Sequence, residues 1–104
     1  MRLAHLALEA ALAVPGVLGA EAGPQGLRVT ADPSKGVLRG VSVTAQADGR
    51  YSVDLRLVTR MVPLVALGEQ VRREVQAGAR HDDLGNEIGA VNVEFVGLLT
   101  AEEV

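Results

Sequence analysis

At 104 residues, the chain is long enough for one domain with a modest core and no more. It carries a net charge of −3 and no cysteine, which excludes a disulfide framework, a thiolate metal site and a cysteine nucleophile. Tyr51 and Phe95 are its only aromatics, and its nine arginines and one lysine are scattered, which argues against base-stacking surfaces and against the basic face of a nucleic-acid binder.

Residues 3–14 are predicted as an amphipathic helix. Leu3, Leu6, Ala10, Ala13 and Val14 recur at i, i+3, i+7, i+10 and i+11, while Arg2, His5 and Glu9 fall on another side. Pro15-Gly16 ends the helix. His5 and Glu9, four apart, read as a helix-surface pair. Glu9 interrupts the apolar run and Leu18 stands where a cut after Ala20 would need a small residue, so the pattern argues against a signal peptide. No other stretch is long enough to span a bilayer. Val17–Glu21 reads as a short strand, Gly23–Gly26 as a turn-rich break, Leu27–Ala31 as a second short strand and Asp32–Gly36 as a loop.

The centre of the chain alternates with period two. Val41, Val43, Ala45 and Ala47 interleave with Ser42, Thr44 and Gln46; after Asp48-Gly49, Tyr51, Val53, Leu55 and Leu57 interleave with Ser52, Asp54 and Arg56. A two-residue Asp48-Gly49 turn would set apolar residues opposite polar ones, and opposed residues must share a face. A three-residue loop, Ala47-Asp48-Gly49, instead pairs Gln46 with Arg50 and aligns Ala45 with Tyr51, Val43 with Val53 and Val41 with Leu55. That loop requires Gly49 in the left-handed conformation.

Residues 62–79 are predicted as a second helix whose core face is Leu64, Leu67, Val71 and Val75, with Gly68 and Ala79 near it and Pro63 in the first turn. Residues 90–96 alternate as a final strand, with Val91, Val93 and Phe95 against Asn92, Glu94 and Val96. The fold class is therefore α+β: a small mixed sheet with a central β-hairpin and both helices packed on one face. Residues 1–99 form the single domain, and 100–104 an acidic C-terminal tail.

The densest polar stretch is His81-Asp82-Asp83-Leu84-Gly85-Asn86-Glu87. It lies between the second helix and the last strand, where Asp, Gly and Asn make turns for conformational reasons. A metal centre needs three or four converging ligands, and the only other histidine, His5, lies at the far end of the chain. The stretch reads as a connector, with weak cation binding through Asp82, Asp83 and Glu87 as the lesser alternative. No residue is assigned a catalytic, cofactor-binding or metal-binding role, and the chain is not read as an enzyme. Gly16-Val17-Leu18-Gly19 matches the GxxG clamp of KH domains; with Arg72-Arg73 it forms the alternative reading of a nucleic-acid module. Apolar middle positions favour a turn entering a strand.

With both helices on the odd-numbered face, the even-numbered face is left open to water. Ser42, Thr44, Asp54 and Arg56 supply its polar part; Asp54 and Arg56 read as a solvated strand face, with pairing to each other or to a second subunit as the alternative. Val58, Val96 and Leu98 form a small apolar patch at its end. These seven residues are the candidate self-association face, together with an unpaired sheet edge.

Several segments resemble one family. Ala10-Ala11-Leu12-Ala13-Val14-Pro15-Gly16-Val17 carries its A-x-x-V-P-G-V pattern, Gly40-Val41-Ser42-Val43 its G-V-x-V strand, and Tyr51 to Val58 its V-D-L-x-L-V strand. Pro63, Ala66, Gln70-Val71 and Val75 fit its second helix; Gly85, Val91-Asn92-Val93 and Val96-Gly97 fit its closing segment. In order and spacing these resemble the alkaline shock protein, or envelope stress response, family of mainly Gram-positive bacteria. Residues 20–39 match poorly, and Thr59-Arg60-Met61 replaces the usual tyrosine-glycine. The resemblance implies a cytoplasmic, non-enzymatic protein linked to cell-envelope homeostasis. It implies a homo-oligomer, with a membrane-anchored protein as partner and no insertion of its own. It also implies that Gly85 is the turn glycine before the last strand.

Overall fold

The computed structural model describes residues 2–22, 29–32, 36–60 and 62–99. The elements are α1 (Arg2–Leu12), β1 (Val17–Ala20), β2 (Val29–Asp32), β3 (Gly36–Arg39), β4 (Val41–Ala45), β5 (Tyr51–Arg60), α2 (Leu64–His81) and β6 (Ile88–Leu99). The acidic tail, 100–104, lies outside the described residues.

β5 is the centre of a four-stranded sheet. Along one side it pairs antiparallel with β4 through Tyr51–Leu55 and with β1 through Leu57–Thr59; along the other it runs parallel to β6. The hairpin register is the predicted one: Val41 opposite Leu55, Val43 opposite Val53 and Ala45 opposite Tyr51. Gly49 has φ +86°, and its N–H donates to Gln46 O at 3.2 Å, so the three-residue loop closes as the alternation demands. β2 and β3 form a separate antiparallel hairpin, Val29 opposite Arg39 and Asp32 opposite Gly36. The sequence reading had only β2 there, because residues 36–39 are too short to display a period.

Both helices cover the odd-numbered face. Val53, Leu55, Leu57 and Thr59 of β5 are buried under Leu67, Val71, Val75 and Ala79 of α2 and Leu3, Ala4, Ala7 and Ala11 of α1. The α2 face is the predicted one. The α1 face is turned from the expected stripe: Ala4, Ala7 and Ala11 are fully buried, Leu6 and Ala10 are half-buried, and Ala13 is exposed. The physical reason is close approach. Three alanines bring α1 down on the core, while Leu6 and Ala10 pack beside Gly78 of α2, where a Cβ would stand 3.4 Å from Leu6 Cδ2.

Gly40 marks the entry to β4. Its φ is +89°, and a Cβ there would collide with the Ala20 side chain at the end of β1. Its carbonyl accepts the Arg56 N–H at 2.8 Å, so β1, β4 and β5 meet at a residue that has to be glycine.

Candidate functional site

The open face is organised by the parallel β5–β6 register, which places Asp54 beside Asn92, Arg56 beside Glu94 and Val58 beside Val96. The Asn92 side-chain amide donates to Asp54 Oδ1 at 2.9 Å. Arg56 Nη1 lies 2.6 Å from Glu94 Oε1, and its Nε lies 3.4 Å from Glu21 Oε1, just beyond β1. Asp54 and Arg56 thus pair across strands and not with each other, the alternative to a simply solvated face. Residues two apart on one strand lie farther apart than residues opposite each other on neighbouring strands, and the neighbours here have the complementary groups. Sequence reasoning missed Asn92, Glu94 and Glu21 as partners. The matching of Val53-x-Leu55 with Val91-x-Val93 was the signal that sets them opposite.

Of the apolar patch, Val58 and Val96 are adjacent and half-buried, with Gly19 on the other side of Val58. The register shifts between Val58 and Thr59, and the Leu98 backbone pairs with Thr59. The Leu98 side chain lies outside the described residues. Ser42 and Thr44 sit opposite Asp54 and Ser52 on β4, Ser42 half-buried and Thr44 exposed.

His81–Glu87 is a helix stop. His81 is the last residue of α2, Asp82 its C-cap, and Asp83 adopts φ +60°. Leu84 N–H donates to Ala79 O at 2.6 Å and Asp83 N–H to Arg80 O at 3.2 Å, while Leu84 is buried. This is the Schellman arrangement with its apolar contact. The left-handed residue is thus Asp83, and Gly85 lies in the turn before β6 that the Glu87 N–H closes on Leu84 O at 2.9 Å, without a positive φ. Gly85 also lies under the Arg80 stem, where a Cβ would come 3.1 Å from Arg80 Cγ.

The structure brings His5 and His81 into one groove of about 460 Å³ between α1 and α2, shared with Arg2, Glu9 and Asp82. Sequence distance had separated them. Each histidine is engaged locally, His5 Nε2 with Glu9 Oε2 and His81 Nδ1 with Asp82 Oδ1, both at 3.3 Å. Among the described residues, no three His, Asp or Glu side chains converge as metal ligands.

The GxxG segment is used inside the sheet. Gly16 turns the chain at φ +99° and its carbonyl accepts the Arg60 N–H at 2.9 Å; Val17 and Gly19 pair with Thr59 and Val58. Arg72 Nε donates to Val91 O at 3.1 Å, tying α2 to β6, while both Arg72 and Arg73 are exposed.

Neither a protein-family model nor a curated protein matches this chain. Solved structures of the MamM C-terminal domain share its fold. One with a methionine-to-leucine substitution has a TM-score of 0.52 at 18% identity, over 92% of this chain and 94% of that chain. A nickel form with an aspartate-to-asparagine substitution has 0.51 at 16%, over 92% and 95%. A structure spanning MamM residues 215–293 has 0.51 at 17%, over 92% and 95%. At this identity the likeness shows the two-helix α+β fold.

Proposed function

We propose that this domain is a non-enzymatic scaffold that self-associates through the open face and free edge of its sheet. The observation that carries the reading is β6. It is twelve residues long and pairs with β5 on one side; among the described residues, no strand pairs with its other side. A strand edge of that length presents a row of N–H and C=O groups that template pairing with another chain. Val58 and Val96 stand on the open face close to it. A second copy related by a two-fold axis would run its β6 antiparallel to the first and continue the sheet.

The motif order supports placing the chain with the alkaline shock proteins, as a cytoplasmic protein of envelope homeostasis that reaches the membrane through an anchored protein partner. Among the described residues no helix is long and apolar enough to cross a membrane.

The test is light scattering over a concentration series on the native protein and on Val96→Lys. The expected result is a concentration-dependent oligomer that Val96→Lys dissociates without loss of circular dichroism. A native protein that stays monomeric at the highest attainable concentration overturns the reading.

A further inference from the structure

We propose that the groove between the β4–β5 turn and the α2–β6 connection binds a small anion carrying at least two charges, of the phosphate-monoester or pyrophosphate class. Arg50 enters it from the start of β5 and Arg80 from the last turn of α2. Gln76 and Asn86 add amides, and the backbone of Gly85 and Gly89 forms part of its wall. The groove measures about 390 Å³, and no carboxylate is among its lining residues.

Two arginines without side-chain partners share this groove; Arg39, Arg60 and Arg73 also have none among the described residues but do not line it. Arg2, Arg56 and Arg72 all spend their guanidinium groups on partners: Asp82 O, Glu94 with Glu21, and Val91 O. Arg50 and Arg80 have neither an ion pair nor a side-chain hydrogen bond among the described residues, although both line the same groove. Two cations sharing a groove repel each other, and an anion between them removes that repulsion while accepting forked, charge-assisted hydrogen bonds from both. Gly85 and Asn86 each also carry a backbone N–H with no backbone acceptor among the described residues.

Glycine keeps the groove open. At Gly89 a Cβ would run into the Gln46 side chain, and at Gly85 it would press on the Arg80 stem. A side chain at either position displaces a wall of the groove.

Negative groups also stand near the two arginines. The carbonyl end of α2 carries partial negative charge close to Arg80. Asp83 shares an adjoining hollow with Arg80, and Asp48 accepts the Arg50 backbone N–H at 2.9 Å through Oδ1. These groups weaken the attraction for any anion, so binding rests on forked hydrogen bonds. A polyoxygen anion able to engage both guanidinium groups at once makes these bonds and chloride does not. Pyrophosphate and phosphate esters present more oxygens over a longer span, so they reach both guanidinium groups more readily than free phosphate.

The experiment is isothermal titration calorimetry of the intact chain with sodium pyrophosphate and with sodium phosphate, at matched ionic strength. Saturable binding is expected, tighter for pyrophosphate. Arg50→Ala and Arg80→Ala are each expected to weaken it by about tenfold or more, as loss of a charge-assisted contact does. Arg73→Ala, on an exposed part of α2 outside the groove, is expected to leave it unchanged. Arg50 and Arg80 are exposed, so both variants keep the fold, which circular dichroism verifies. Absence of saturable binding to the native chain, or equal weakening by Arg73→Ala, overturns the proposal. Neither outcome bears on self-association, which is read separately by light scattering.

Discussion

Arg56 and Glu94 face each other across the parallel β5–β6 ladder, Nη1 to Oε1 at 2.6 Å, with Glu21 on the other flank of the same guanidinium. One arginine therefore links the end of β1, the central strand and the free-edged strand. Glu94 is about half exposed at 49%, so water screens the pair despite its short distance. A double-mutant cycle of Arg56→Ala and Glu94→Ala in urea is expected to give a coupling of about 0.5–1 kcal/mol. It should shrink as salt is added. Coupling well above that range, growing with protein concentration, would mean that a second copy covers the pair.

Gly40→Ala is expected to destabilise the domain by about 2–4 kcal/mol, from left-handed strain plus the clash with Ala20 at a three-strand junction. Gly19→Ala is the control, since a Cβ there meets nothing within 4 Å. Chemical denaturation of both variants measures the difference, and equal effects would sink the junction argument.

Asp83 sits in a left-handed cap position that glycine or asparagine tolerates better, and its charge lies at the negative end of α2. Asp83→Asn is therefore expected to stabilise the protein by about 0.5–1 kcal/mol, seen as a raised thermal midpoint. A lowered midpoint would show that the carboxylate has a role beyond the turn.

Leu55 is 1% exposed at the centre of the sheet, whereas Val65 on α2 is 79% exposed. Leu55→Ala should cost about 2–5 kcal/mol through the cavity it leaves. Val65→Ala should stay within about 0.5 kcal/mol, as a surface change does. Urea unfolding of the two variants tests whether the core sits where the buried side chains place it.

The hairpin was legible because period-two alternation excludes the two-residue loop and favours the three-residue one, and the observed pairing of Val43 with Val53 agrees with it. The inward face of α2 was legible for the same reason at a period near 3.6. The face of α1 was not. Its leucines and alanines are apolar almost all round, and a hydrophobic period cannot rank a small residue above a large one when close approach decides. β3 was too short to show a period, and the Asp54 and Arg56 partners lie in β6 and beyond the end of β1, outside any local pattern.

Local alternation, turn chemistry and helix punctuation were set by the sequence alone, because each depends on neighbours within a few residues: the Gly49 loop, the Pro15-Gly16 stop and the buried odd-numbered face of β5. The tertiary structure alone decided which distant residues meet. It set Arg56 against Glu94, gathered His5 and His81 into one groove, and left Arg50 and Arg80 unpaired in another. It also left one side of β6 without a paired strand among the described residues. Those arrangements follow from how helices and strands pack around a shared core, and packing depends on volumes and registers that no short stretch of sequence contains.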